Sequence, residues 1–176
     1  MQGNDFKLIS AQEIDSFLSY ISSDAPRTCL DLGCGTGQLT RELFHRGYRV
    51  IGVDASLEAV RRARKLTIAP SEQLAYVHAD LEQDLLPDIL APAGLITCKL
   101  VYAFIKDKPT FLARVRSVLH EQGLFVVVTP MVADVAPEKK SIAANEEDVR
   151  LLEDYFAPVA HYRHKGLTYF VCRPRS

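Results

Sequence analysis

The sequence predicts an α/β fold: a mostly parallel sheet covered by helices, finished by an antiparallel hairpin. Three observations carry this. Between Thr28 and Thr129, five apolar strand-like runs alternate with helical or turn-rich stretches, the pattern that winds a parallel sheet. The stretch Thr28 to Thr40, T-C-L-D-L-G-C-G-T-G-Q-L-T, joins the first run to the first crossover helix through Gly33, Gly35 and Gly37. Finally, Val159–His164 and Leu167–Arg173 are strand-like runs separated only by Lys165-Gly166, too close for a parallel crossover, so they must pair antiparallel.

Taken in order, Gln12 to Ser22 reads as an amphipathic helix, with Ile14, Phe17, Leu18 and Ile21 on one face and Ser10 and Glu13 spaced as a capping box. Asp24-Ala25-Pro26 breaks it. Thr28–Leu32 is the first strand, and Gly37–Arg46 the first crossover helix, stopped at Gly47. Arg49–Val53 is the second strand and Leu57–Leu66 a helix whose Arg61, Arg62, Arg64 and Lys65 read as a solvated face. Leu74–His78 is the third strand. Glu82–Leu90, broken by Pro87, holds at most a turn or two of helix. Gly94–Cys98 is the fourth strand, Lys108–His120 a helix ending near Gly123, and Leu124–Thr129 a fifth strand, apolar throughout as a strand covered on both faces should be. Met131–Ala144 lacks periodicity and is long enough to be a functional loop, and Asn145–Phe156 is helical.

Composition narrows the class. The chain has 176 residues, 48% of them hydrophobic, and a net charge of −1, which suits one globular domain spanning 1–176 and gives no general attraction to nucleic acid or anionic membrane. Cys29, Cys34, Cys98 and Cys172 form no C-x-x-C pair and read as reduced thiols in a cytoplasmic protein. His45, His78, His120, His161 and His164 lack metal-ligand spacing, so no metal site is expected. The first ten residues carry no signal-peptide core, and no apolar run approaches membrane-spanning length.

The chemistry sits where the strands end, because ligands bind at the carboxyl edge of a parallel sheet. The glycine turn gives close backbone approach and a helix start with free N–H groups, the arrangement that binds a nucleotide-like ligand. A dinucleotide fingerprint would place its third glycine at position 38, which is Gln38; here the spacing is G-x-G-x-G. Asp54 ends the second strand, 21 residues after Gly33, and suits either two ribose hydroxyls or the cap of the next helix.

The stretch Leu30–Gly37, L-D-L-G-C-G-T-G, closely resembles the first motif of class I S-adenosylmethionine-dependent methyltransferases. With Asp54, the H-A-D-L of His78–Leu81 and the strand-four stretch Leu95–Asp107, the resemblance covers Thr28 to roughly Pro130 plus the final hairpin. It implies a Rossmann-like, seven-stranded sheet with helices on both faces, S-adenosyl-L-methionine as cofactor and S-adenosyl-L-homocysteine as product. The N-terminal helix, within residues 1–24, reads first as packing against the sheet, and the resemblance leaves open a second role for it, covering the cofactor site.

By that resemblance the cofactor site comprises Asp31, Gly33, Cys34, Gly35, Gly37, Asp54, Ala55, Ser56, Ala79, Asp80, Leu81, Thr97 and Cys98. Asp80 would accept from the adenine amino group, beside the backbone N–H of Leu81. Asp31 would help hold the methionine ammonium, and as a structural residue it could also bond backbone N–H groups of the turn. Cys34 reads as a small packing residue. Carbonyls near Thr97 and Cys98 would receive the amino group. Lys99 and Tyr102 would face the methyl donor or acceptor, or Tyr102 would simply pack. Two departures stand out: Gly94 replaces an acid usual before strand four, and Ala103 and Phe104 stand where many relatives carry a His. No general base is therefore singled out. The expected activity is methyl transfer to an O, N, S or C nucleophile, on a small-molecule acceptor, since no nucleic-acid module is recognisable. The alternatives are a nicotinamide-dependent oxidoreductase and a non-catalytic methyltransferase-like domain that binds a partner.

Overall fold

The computed structural model describes residues 8–68, 72–84 and 92–175. Seven strands form one sheet: β1 (Thr28–Leu32), β2 (Arg49–Asp54), β3 (Leu74–His78), β4 (Ala93–Lys99), β5 (Leu119–Thr129), β6 (Phe156–His164) and β7 (Leu167–Pro174), in the order β3-β2-β1-β4-β5-β7-β6. β1 to β5 are parallel, and β7 inserts antiparallel between β5 and β6. The order reverses direction between β1 and β4, and that switch point leaves a crevice at the carboxyl ends of the two strands.

The helices divide between the faces. α1 (Ala11–Leu18), α2 (Gln38–His45) and α3 (Leu57–Leu66) bury Ile14, Phe17, Leu39, Leu43, Val60 and Ala63 against one face. α4 (Lys108–Val118) and α5 (Glu146–Tyr155) bury Phe111, Leu112, Val115 and Leu152 against the other. The central strands are buried on both sides, which is why β5 reads as a continuous apolar run rather than an alternating one.

Several boundaries differ from the sequence expectation. α1 stops at Leu18, although Ile21 still packs on the core. α4 ends at Val118, and Leu119 onward is already strand: the β4–β5 register shifts between Ala93 and Leu95, and this irregularity absorbs the extra β5 residues around Gly123. β6 starts at Phe156, with Pro158 at a register shift on an edge strand, where a missing N–H is tolerated. Lys165 and Gly166, the hairpin turn, both have positive φ, the hand that a two-residue hairpin demands. In the expected Glu82–Leu90 element, Asp80–Asp84 forms a turn, with the N–H groups of Gln83 and Asp84 on the Asp80 carbonyl; residues 85–90, like residues 1–7, lie outside the described residues. Gly94 shows why strand four lacks a leading acid: a Cβ there would lie 1.9 Å from the Pro26 carbonyl oxygen.

Candidate active site

The glycine turn is an unusually tight connection. Gly33, Gly35 and Gly37 have φ of 73°, 54° and 76°, three left-handed residues within five positions, a path that Cβ-bearing residues follow only with strain. The turn is pinned from below. The N–H groups of Gly33 and Cys34 both donate to the Val53 carbonyl, at 2.7 and 3.0 Å. Cys34 packs over Gly52, where a Cβ would come within 2.9 Å of its Sγ, and burial pushes its thiol well above the usual range. Gly37 caps α2 with no side-chain hydrogen bond, so the helix start offers backbone donors alone.

Asp54 joins the turn to β2. Its Oδ2 accepts the Gly35 N–H at 2.7 Å, and its Oδ1 accepts the Ser56 N–H at 2.8 Å. Ser56, not Asp54, caps α3, by accepting from the Ala59 N–H. Ala55 follows Asp54, and its carbonyl is held by His78 Nε2 at 3.1 Å. Above the turn there is room: a Cβ at Gly35 would meet no atom within 4 Å.

Asp31 departs from the expectation that it bonds the turn's N–H groups. It is 2% exposed, and its two oxygens accept the hydroxyls of Thr40, at 2.6 Å, and Thr97, at 2.8 Å. Burial raises its pKa, opposed by those two bonds and by the Lys99 ammonium. Asp31 thus ties β1 to α2 and β4 at the switch point, and it is a buried acceptor that a cation would favour. Cys98 alternates to the opposite face of β4 and packs in the core below α4.

Lys99, at the end of β4, is half-buried. Burial lowers its pKa, and the carboxylates of Asp31 and Glu13 pull it back up. Tyr102 takes the packing role. It is 1% exposed, donates its hydroxyl to the Asp148 carbonyl at 2.8 Å, and lies under the Lys108 ammonium. It is therefore removed from the acceptor-facing set, because a ring committed to the α4–α5 junction cannot also line the open crevice.

Asp80 is exposed at the end of β3, its Oδ1 accepting the Glu82 N–H at 2.9 Å, while Ala79 is half-buried and Leu81 buried. The turn bearing them is gripped by Arg114 of α4, whose Nη1 donates to the carbonyls of Leu81, Glu82 and Asp84. Glu82 in turn accepts the N–H groups of Lys106 and Asp107.

Sequence reasoning missed four supports of the site. Arg114 and Glu82 are two. Gln38 is the third: its amide exchanges two hydrogen bonds with the backbone of Ile9, at 3.2 and 2.9 Å, docking the segment before α1 onto the start of α2. Glu13 is the fourth. It is 6% exposed, accepts the Tyr169 hydroxyl at 2.5 Å, and also takes the Ser10 hydroxyl and N–H. Burial would raise its pKa, but the bonds from Ser10 and Tyr169 overcome this and hold it at about 2. Its capping-box spacing was visible in the sequence, but a partner 156 residues away leaves no local signal.

The Met131–Ala144 loop closes on itself. Val132 N–H donates to the Ala144 carbonyl and Ala144 N–H to the Pro130 carbonyl, each at 2.9 Å, with 3-10 turns at Val132–Asp134 and Pro137–Ile142 between. Beside it, at the carboxyl ends of β4 and β5, lies a cavity of about 380 Å³ walled by Leu100, Phe104, Pro130, Val135, Ile142 and Leu167. Leu100, immediately after Lys99, has φ of 60°, a left-handed conformation rare outside glycine. A glycine-rich cradle, strand-end carboxylates and an apolar cavity thus share the carboxyl edge of one sheet.

The methyltransferase-domain family profile matches residues 30–127, more than half of the chain. The chain belongs to the class I S-adenosylmethionine-dependent methyltransferase family. Among relatives, the chain is 29% identical over 163 residues to the ubiquinone biosynthesis O-methyltransferase of Xylella fastidiosa, covering 85% of this chain and 65% of that one. It is 33% identical over 115 residues to the trans-aconitate 2-methyltransferase of Azoarcus sp., covering 64% and 43%. Its fold matches the N-methyltransferase NodS of Bradyrhizobium japonicum in complex with S-adenosyl-L-homocysteine, with a TM-score of 0.75, 19% identity, and 99% and 90% of the two chains covered. The chain spans 52–63% of the length of three further methyltransferase relatives. S-adenosyl-L-methionine is the cofactor of this family, and the residues present fit it: open space over Gly35, unblocked donors at the start of α2, a strand-end carboxylate in Asp54, and a buried anion in Asp31 that a cationic group would favour. Among the described residues, no helix is long and apolar enough to cross a membrane.

Proposed function

We propose that this chain transfers a methyl group from S-adenosyl-L-methionine to a small-molecule acceptor seated beside Lys99 and the Met131–Ala144 loop. The observation that carries the reading is the Asp54–Gly35 bond of 2.7 Å beneath open space: one carboxylate both shapes the glycine turn and keeps lone pairs for a ligand over it. When bound, the cofactor supplies a methyl group made electrophilic by its sulfonium. Asp54 accepts from the ribose hydroxyls, and Asp80 from the adenine amino group beside the Leu81 N–H. The start of α2 and the carbonyls near Thr97 and Cys98 orient the amino-acid end, and Asp31 adds negative charge from below. The loop and Leu100 keep water out of the acceptor cavity and hold the nucleophile in line, so alignment supplies the rate. Four free cysteines, three of them buried, suit a reducing, cytoplasmic setting.

The test is calorimetric titration with S-adenosyl-L-homocysteine and, separately, with NADH. Homocysteine-adduct binding without NADH binding is expected. Asp54→Asn, which keeps the side-chain size and one acceptor, should weaken it by about 1.5–3 kcal/mol, the range for bonds to a charged group. Unchanged affinity in that variant would overturn the assignment of Asp54 to the ribose.

A further inference from the structure

The charges around the acceptor cavity are not balanced. Most of its wall is aliphatic or aromatic, and Phe104 and Ile142, at 55% and 42% exposure, carry that apolar character out to its rim. Two ionisable side chains line it, Asp134 and Lys139. Asp134 is already paired, with Arg163 Nη1 of β6 at 3.0 Å from its Oδ1. The neighbouring cations are also compensated: Lys165 lies 3.7 Å from Glu13, and Lys99 faces Asp31 and Glu13. Lys139 alone of the lining has no hydrogen bond or ion pair on its ammonium among the described residues. It stands on the 3-10 turn Pro137–Ile142, where the next residue, Lys140, lines a separate cavity.

We propose that the acceptor is an amphipathic organic anion: an apolar body that fills the 380 Å³ cavity, bearing one carboxylate or similar group that pairs with Lys139. This rests on the methyltransferase reading above and gives it a substrate class. An apolar cavity gains from burying an apolar body whatever its charge. The single uncompensated cation then selects among bodies of equal shape, because a neutral analogue leaves the ammonium solvated and a cationic one meets like charge. Asp134 offsets this less than a lone carboxylate would, since Arg163 lies at contact distance and opposes its charge.

The experiment uses three ligands of one shape, cinnamate, cinnamamide and cinnamylamine, titrated calorimetrically into the full chain saturated with S-adenosyl-L-homocysteine. Cinnamate should bind about fivefold tighter than the amide, as for a partly exposed ion pair, with the amine weakest. Lys139→Met should remove the preference for cinnamate, Lys139→Glu should reverse it towards the amine, and Lys140→Met, in the neighbouring cavity, should leave it intact. Equal affinity for acid and amide, a preference that survives Lys139→Glu, or no binding by any of the three would overturn the inference while leaving the methyltransferase reading in place. That reading fails on a different measurement, the absence of S-adenosyl-L-homocysteine binding in the preceding titration.

Discussion

At Gly35 two roles of a glycine can be separated. Its φ of 54° makes any Cβ-bearing residue pay in backbone strain of about 1 kcal/mol, yet the space above it is empty of protein. Gly35→Ala should therefore fold, with a melting temperature lowered by a few degrees, yet lose more than about tenfold in affinity for S-adenosyl-L-homocysteine, a ratio worth about 1.4 kcal/mol. At Gly37 the outcome differs, because a Cβ there would press within 2.6 Å of the Tyr76 ring and hydroxyl, so substitution damages folding first. Comparing calorimetric affinity and melting temperature for the two alanine variants checks this; equal affinity loss scaled to stability loss at both positions would show that the turn matters only for the fold.

Among the elements, two contacts lock helices in place around the site. The junction of α4 and α5 closes over Tyr102, with Lys108 Nζ at 3.1 Å from Asp148 Oδ1 and both side chains 12% exposed. Tyr102→Phe removes the bond to the Asp148 carbonyl and leaves the ring in place, so stability should fall by about 1 kcal/mol in denaturant titration while turnover is unchanged. A large loss of turnover with stability intact would return Tyr102 to the acceptor site. α1 is held to β7 by the Glu13–Tyr169 bond. Because the Glu13 carboxyl is depressed from 4.5 to about 2, its contribution is complete above 4.5 and lost as the pH falls through about 2. Wild type should accordingly lose melting temperature more steeply than Glu13→Gln across that acid interval; parallel profiles would mean that the carboxylate does not anchor the helix.

Across the whole molecule, four of the histidines are tied to neighbours among the described residues, and of these His164 stands beside a carboxylate. His78 bonds the Ala55 carbonyl, His120 accepts the Gln122 N–H, His161 stacks on Phe170, and His164 is 3.9 Å from Glu13. Once an acceptor is in hand, no single substitution of these four should abolish turnover under saturating cofactor. A positioned acid or base supplies about 10²–10⁴-fold, so a loss of that size at one histidine, with cofactor affinity intact, would identify a base and displace alignment as the source of the rate.

The sequence by itself determined the succession of elements up to the hairpin, the glycine turn and the strand-end acids, because each is written in local spacing: alternation of elements, a run of glycines at 33, 35 and 37, and an acid following an apolar run. The Lys165-Gly166 turn was equally legible, since two residues between apolar runs leave no room for a parallel crossover. The partners of those residues were decided by tertiary structure. Asp31 looks like a turn-binding acid until β4 and α2 bring Thr97 and Thr40 to its two oxygens. Tyr102 looks like a pocket residue until α5 arrives to take its hydroxyl. The acceptor cavity is assembled from the end of β4, the closed loop and the hairpin turn, segments as far apart as Leu100 and Leu167. Local periodicity records which face of an element is apolar, whereas hydrogen bonds and ion pairs between distant segments depend on where the sheet carries them, and no spacing rule along the chain encodes that.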